Sequence, residues 1–169
     1  MMRRAPLALL LPLGMALAGC GLQPMYAGGS HGAVAQALSD VEVGPIAGQQ
    51  GWLVRNALVD RLGAAGEGKG RFKLDVVLDD QITGFGIRSN NTITRERRTL
   101  RARFKLIDAS NQTVLLDATA GSDAGIDVVT SEYAVIAAEQ TALERLSGEV
   151  ADQIVTRVAL YARQHPSKE

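Results

Sequence analysis

Alternation of apolar and polar side chains predicts a run of β-strands in the middle of the chain. From Phe72 to Ile82 apolar residues fill one set of alternate positions except at Asp80, and charged residues fill most of the other set. The pattern returns over Leu100–Leu106 and Val114–Ala120. A period of two residues is typical of strands that bury one face. With a short strand at Val41–Val43, the sequence predicts four strands, and the glycines and aspartates of Gly121–Asp127 predict a loop after the last one.

Two segments instead show the three-to-four-residue spacing of amphipathic helices. The first is Trp52–Leu62, with Trp52 expected to be a core or staple residue rather than a ligand contact. The second follows Ser131, whose side chain is expected to cap it. The order β-α-β-β-β-α predicts an α+β fold, a two-layer sandwich of a four-stranded, mostly antiparallel sheet with two helices on one face. Its other face is left for solvent or a partner. The apolar stripe of the second helix consists of Leu143, Leu146, Val150, Ile154, Val158 and Tyr161.

The N-terminus has the organisation of a lipoprotein signal peptide. Arg3 and Arg4 precede an apolar stretch that ends in Leu17-Ala18-Gly19-Cys20, and Cys20 is the only cysteine of the chain. We expect the mature protein to begin at Cys20 with its thiol acylated, and ordinary secretion is the alternative. The predicted organisation is 1–19 signal peptide, 20–37 lipidated N-terminus and flexible tether, 38–164 folded domain, and 165–169 C-terminal tail.

Composition narrows the possible functions. The chain has 18 basic and 18 acidic residues, so removal of the signal peptide leaves a slightly acidic protein that is not expected to bind nucleic acid. The only histidines, His31 and His165, lie near the ends of the mature protein. We therefore expect no metal site, no cofactor and no enzymatic activity. A periplasmic hydrolase is the alternative, although the sequence offers no convincing catalytic base.

Positive charge is concentrated in one predicted hairpin. Between Arg88 and Lys105 the chain carries seven basic residues and one acid, Glu96. Cross-strand pairing between opposite charges explains part of this pattern. The expected hairpins place Asp75 opposite Lys105, Asp79 opposite Arg101, and Asp117 opposite Arg103.

The hairpin tip has no such explanation. Arg88, Arg95, Arg97 and Arg98 are expected to lie there without acidic partners, and Phe85 adds apolar surface beside them. Guanidinium groups bind phosphate through two parallel hydrogen bonds, so the tip predicts an anionic, amphiphilic ligand. A protein-facing role and a solvated face are the alternatives. The candidate binding residues are Arg88, Arg95, Arg97, Arg98, Arg101 and Arg103.

Several motifs resemble the lipopolysaccharide-assembly lipoprotein (LptE) family. The mature start, Cys20-Gly21-Leu22-Gln23-Pro24-Met25-Tyr26, is similar to the family's Cys-Gly-Phe-x-Pro-Leu-Tyr, with conservative departures at Leu22 and Met25. The segment from Gly51 to Leu58 resembles the family's first helix. Ser131-Glu132-Tyr133-Ala134, together with Ala138-Glu139 and Arg145, resembles its last helix in alphaproteobacterial members.

This resemblance implies a role. Members are outer-membrane lipoproteins on the periplasmic side that plug the LptD β-barrel, support its assembly and bind lipopolysaccharide during export. It implies that the basic cluster, as a group, contacts lipid A phosphates. We expect replacement of Arg95, Arg97 and Arg98 by alanine to weaken lipopolysaccharide binding without unfolding the domain. The alternative is a lipoprotein accessory subunit of another, ABC-type, envelope lipid transporter.

Overall fold

A computed structural model describes residues 32–63, 70–87 and 93–165. Four strands and three helices occupy these residues, with one short helix ahead of the predicted order. The α+β fold predicted from the sequence is confirmed. In chain order the elements are α1 (Ala33–Ser39), β1 (Val41–Val43), α2 (Gly48–Leu62), β2 (Phe72–Ile87), β3 (Ile93–Asp108), β4 (Val114–Asp127) and α3 (Glu132–Gln164).

The four strands form one sheet in the order β1-β2-β3-β4. β1 runs parallel to β2, and the other neighbouring pairs are antiparallel. In the first hairpin Asp75 lies opposite Lys105 and Asp79 opposite Arg101, as predicted. The alternating apolar pattern therefore fixed this register, because a slip of one residue would have turned every core side chain outward.

The second hairpin has a different register from the predicted one. Asp117 lies opposite Lys105, and Arg103 lies opposite Thr119. The register is irregular at Leu106/Ile107, and the turn contains Gln112 at a φ of 59°. The turn is therefore displaced by one residue, which moves every cross-strand partner by two positions while each side chain keeps its face.

The predicted loop at Gly121–Asp127 is wrong, because β4 continues to Asp127. Its glycines and aspartates lie on the outer face, whereas Ala124 and Ile126 are buried on the inner face. Here the small polar residues belong to a strand that pairs with the basic half of β3, from Arg95 to Arg101. Glycine and aspartate are rare in strands, so these residues favour a loop when considered alone. In the structure, pairing with β3 stabilises them as a strand.

The helices cover one face of the sheet, as predicted. Leu143, Leu146, Val150, Ile154 and Val158 of α3 are buried, and Tyr161 packs against the core. At about 1.5 Å per residue the 33 residues of α3 span about 50 Å. The helix α2 runs parallel to α3, and Gln49 and Arg61 of α2 hydrogen-bond to Gln140 and Asp152 of α3, respectively.

Three local predictions differ from the structure. Trp52 is 64% exposed, because α2 begins at Gly48 and buries the face that carries Gly51 and Val54, about 100° away from Trp52. Ser131 precedes α3 but makes no side-chain cap; its backbone carbonyl accepts hydrogen bonds from Ala134 and Val135. Residues 33–37 of the predicted tether belong to α1, which leads into the buried Leu38.

Candidate functional site

Alternation along β3 divides the basic residues between the two faces of the sheet. Leu100, Ala102 and Phe104 are buried beneath the helices, so residues of the same parity point inward. Residues of the other parity point to the face without helices. We call this second set the basic row; it consists of Arg95, Arg97, Arg101, Arg103 and Lys105.

Arg98 does not belong to the basic row. Its guanidinium donates to Asp80 of β2 over 2.9 Å and 2.6 Å, and to the Glu139 carbonyl of α3 over 2.9 Å. The Arg98 and Asp80 side chains are only 12% and 13% exposed. The prediction that Arg98 is an unpaired tip residue is therefore wrong: it joins β2, β3 and α3, and its hydrogen bond to Asp80 raises its pKa.

Arg95 is also paired, contrary to the prediction. Its Nε atom lies 3.0 Å from Asp127. Asp127 is an acid of the segment that was predicted to be a loop, which explains why the sequence offered no partner for Arg95. Both side chains are well exposed, so this ion pair is worth about 0–1 kcal/mol.

The middle of the basic row is partnered by acids of β4. Arg103 binds Asp117 over 3.0 Å and 2.8 Å, and this pair lowers the pKa of Asp117. The predicted pair is therefore present, although it is diagonal across the strands. Arg101 lies at 3.6 Å from Asp123 and donates to the Ser122 carbonyl over 3.1 Å. Arg101 thus has a looser carboxylate partner than Arg103.

Arg97 is the cation of the row that matches the prediction best. Its guanidinium lies over the Phe85 ring at 5.3 Å from the centroid, a cation–π contact on an exposed strand. Among the residues that the structure describes, no carboxylate lies within ion-pair distance of Arg97. Arg88 and the acylation candidate Cys20 both lie outside the described residues.

A shallow depression of about 570 Å³ crosses the outer face beside this row. Three successive cross-strand rows of β2, β3 and β4 form its floor. Gly121 has no Cβ and so leaves room for the Arg101 side chain, which would approach an added Cβ to about 2.5 Å. Arg101, Arg103 and Arg157 bring positive charge to the depression, against the single carboxylate of Asp79.

Arg157 is a site residue that sequence reasoning missed. It belongs to α3, yet it reaches the depression because α3 passes along the free edge of β4. One turn earlier, Gln153 accepts from the Gly121 backbone N–H and donates to its carbonyl, each over 3.1 Å. No motif marks Arg157; only its position one turn after Gln153 on the same helix face could have suggested it.

The inner face of the sheet, beneath the helices, carries a carboxyl group that is buried and lacks a cationic partner among the described residues, that of Glu96. The Oε2 atom of Glu96 is buried without a hydrogen-bond partner within the described structure. Burial raises the pKa of Glu96, and the neighbouring Glu139 carboxyl of α3 raises it further. Arg98 donates to the backbone of the same Glu139. Glu96 is therefore a structural acid beneath α3, away from the basic row.

We expect Glu96→Gln to remove a destabilisation that grows with pH. The pKa of Glu96 is raised in the folded state, so folding binds protons and wild-type stability falls as pH rises from about 4.5 through that higher value. The glutamine variant lacks this titration. Urea unfolding from about pH 4 to pH 8 should show the variant gaining stability over wild type as pH rises. Glu132→Gln, at an exposed position of α3, is the control, and parallel curves for wild type and Glu96→Gln would refute the assignment.

No helix within residues 32–63, 70–87 and 93–165 is long and apolar enough to cross a bilayer. In the same ranges, no group of three or more histidine, cysteine, aspartate or glutamate side chains is arranged to hold a metal ion.

Comparisons with solved structures place the fold among bacterial lipoproteins. A candidate lipoprotein from Caulobacter crescentus CB15 is 26% identical with a TM-score of 0.64, over 80% of this chain and 100% of the other. Rare lipoprotein B from Shewanella oneidensis has a TM-score of 0.59 at 8% identity, over 73% and 96% of the two chains. Lipoprotein B from Nitrosomonas europaea has a TM-score of 0.56 at 13% identity, over 78% and 95%. No curated protein matches the chain.

A family model gives the decisive comparison. The model described as LptE, lipopolysaccharide-assembly, matches residues 38–158, which include every strand and most of α3. The match covers well over half of the chain and agrees with the fold of the lipoproteins above. The chain therefore belongs to the LptE lipopolysaccharide-assembly family of envelope lipoproteins.

Proposed function

We propose that this protein is an outer-membrane lipoprotein that plugs an LptD-type β-barrel, supports its assembly and binds lipopolysaccharide during export. Family membership supports the role in lipopolysaccharide assembly. The Leu17-Ala18-Gly19-Cys20 box supports acylation of Cys20 and, through it, a lipid anchor on the periplasmic side of a membrane. Two or three acyl chains would hold the domain stably at the membrane. The role is binding and structural, not catalytic.

The observation that carries the lipid-binding part is the group of available cations around the outer depression. Arg97 and Arg157 have no carboxylate within ion-pair distance among the described residues, and Arg101 is 3.6 Å from its partner. Releasing an exposed pair such as Arg101–Asp123 costs only about 0–1 kcal/mol. A phosphate can therefore replace a carboxylate here at little cost and gain bidentate, charge-assisted hydrogen bonds.

Apolar side chains beside these cations suit an amphiphile better than free phosphate. Val77 is 72% exposed at the depression, and Phe85 is exposed beside Arg97. A ligand that carries phosphates next to acyl chains, as lipid A does, can neutralise the arginines and cover these apolar surfaces together. Arg97, Arg101 and Arg157 therefore replace Arg95 and Arg98 as the principal binding candidates. Arg103 is a weaker candidate because Asp117 holds it at two short distances.

Purification from outer membranes tests the proposal as a whole. The tagged full-length protein is extracted from native membranes in mild detergent, and bound protein and lipid are identified by mass spectrometry. We expect a large β-barrel of the LptD type and lipopolysaccharide to co-purify. Cys20→Ser is the matched variant, and it should lose its acyl chains and most of its membrane fraction.

The same experiment separates the alternative function. Subunits of an ABC-type transporter with bound phospholipid, and no barrel, would identify an accessory of a different lipid transport system. Acyl chains on the Cys20→Ser protein, or a wild-type protein without acyl chains, would contradict acylation of Cys20.

A further inference from the structure

Over most of its length, the outer edge of β2 is not covered by any of the residues that the structure describes. β1 pairs only with Phe72–Leu74, whereas β2 continues to Ile87. The last bond at this edge runs from the Gly44 N–H to the Leu74 carbonyl over 3.0 Å. Within the described ranges, no backbone group pairs with this edge of β2 beyond that point. About a dozen residues of β2 thus lie at the edge of the sheet, although β2 is as long as its neighbour β3.

The hydrogen bonds between β2 and the segment around β1 show which backbone groups of β2 point toward the open edge. The Phe72 N–H donates to Asp40, and the Leu74 carbonyl accepts from Gly44, so even-numbered residues direct both backbone groups toward this edge. The β2–β3 register stays constant from Phe72 to Phe85, so the same parity holds along the strand. The residues with outward N–H and carbonyl groups are Val76, Leu78, Asp80, Ile82 and Gly84.

Natural sheets usually protect such an edge with a lysine, a proline or a short strand. Residues 75–86 contain no lysine and no proline. They contain instead three exposed large apolar side chains: Val77 at 72% and Phe85 at 38% on the outer face, and Ile82 at 43% on the other face. Because the edge is long and exposes apolar side chains on both faces between its aspartates, it is suited to pairing with a strand that also supplies positive charge.

The charge at this edge indicates which strand fits. Asp79 accepts hydrogen bonds from Gln81 at 3.1 Å and 3.2 Å, and no cation of the described structure lies within ion-pair distance of it. Its cross-strand neighbour Arg101 turns instead toward Asp123. A second copy of this chain would bring another acidic β2 against Asp79. A strand with a lysine or arginine opposite Asp79 would neutralise it.

We propose that β2 is a strand-addition site, at which an extended segment of a partner protein continues the line of β1 past Leu74. The segment pairs with the outward backbone groups from Val76 to Gly84. It carries a basic residue opposite Asp79 and apolar residues beside Val77 and Ile82. Main-chain hydrogen bonds supply affinity in this mode, and the flanking side chains supply selectivity. This site adjoins the lipid-binding face and shares Val77 and Asp79 with the depression, but its main-chain pairing uses backbone groups of β2 and not the arginines of β3.

Amide hydrogen exchange with a defined peptide tests the proposal. The probe is a capped octapeptide of alternating valine and threonine with one central lysine, and the control peptide carries glutamate in place of lysine. In the dilute protein alone, the Leu78, Asp80 and Ile82 amides should exchange fast, because they lack partners. With the lysine peptide at about 1 mM they should slow by about tenfold or more, and clearly less with the glutamate peptide.

Two variants separate backbone pairing from side-chain contact. Ile82→Pro removes an outward N–H that β3 does not use, so the protein should stay folded and lose the peptide effect. Ile82→Thr keeps the backbone N–H and should retain most of the protection that the lysine peptide gives.

Three results would overturn the proposal. The first is unchanged exchange at saturating peptide, or equal protection of Leu78 in the Ile82→Pro protein. The second is protection in the dilute protein alone, because the edge is then covered by its own chain. The third is protection that rises with protein concentration without peptide, because the occupant is then a second copy.

Discussion

Replacing Arg98 by alanine is expected to lower the free energy of unfolding by about 2–3 kcal/mol, below the roughly 3–5 kcal/mol lost when a fully buried ion pair is broken from one side, because the Arg98–Asp80 pair is part-buried. The substitution leaves Asp80 at 13% exposure without its guanidinium and removes the donor to the Glu139 carbonyl. Urea unfolding followed by circular dichroism measures the change. The substitution proposed from the sequence, Arg95, Arg97 and Arg98 together, is therefore unsuitable for a binding assay.

Two controls identify the cause of this loss. Asp80→Leu/Arg98→Met replaces the pair with apolar side chains of similar size and should recover most of the stability. Arg95→Ala breaks the exposed pair with Asp127 and should cost less than about 1 kcal/mol. A loss for Arg98→Ala no larger than that for Arg95→Ala would show that the inner pair does not hold β2, β3 and α3 together.

Replacing Arg97, Arg101 and Arg157 by alanine is expected to weaken lipopolysaccharide binding on the order of 100-fold at low salt. Each arginine is assigned about 1 kcal/mol of contact with phosphate, and a total near 3 kcal/mol corresponds to that factor. All three side chains are exposed, so the unfolding midpoint should change little. Binding of purified lipopolysaccharide to the immobilised protein measures the effect. The difference should shrink as salt is raised, because exposed charges are screened within about 10 Å at 0.1 M.

The matched control removes three arginines from other surfaces. Arg55, Arg145 and Arg163 lie on α2 and α3 outside the basic row and the depression. Their replacement by alanine changes the net charge by the same amount. Equal loss of binding in both triple variants would mean that total charge, and not the outer face of the sheet, governs lipid binding.

The sequence predicted the sheet better than it predicted the site. The register of Asp79 with Arg101 and the α3 stripe through Leu146 and Ile154 follow from periodicity, because burial of apolar side chains fixes both. The extension of β4 to Asp127 did not follow, because its glycines and aspartates favour loops in isolation. In the sheet Gly121, Gly125 and Asp127 lie opposite arginines of β3, and Asp123 lies diagonal to Arg101, which compensates for their weak strand preference.

That error in β4 changed the account of the charges. When Asp123 and Asp127 are assigned to a loop, Arg95 has no carboxylate partner in the predicted sheet. The arginines of the hairpin tip are then expected to repel one another. Arg98 was misplaced for a different reason: alternation puts it on the inner face with Leu100, where Asp80 has the same parity on β2. The parity of both residues was present in the sequence. A buried ion pair was the interpretation that strict alternation supported.

Photo-crosslinking in living cells tests most directly the claim that lipopolysaccharide lies on the outer face of the sheet. A photoreactive amino acid replaces Thr119, which lines the depression, or Thr156, an exposed residue of α3 that does not line it. Both are exposed threonines of the same domain, so expression and anchoring should be alike. The account predicts a lipopolysaccharide adduct at position 119 and little or none at position 156. Equal adducts at both positions, or an adduct at position 156 alone, would contradict it.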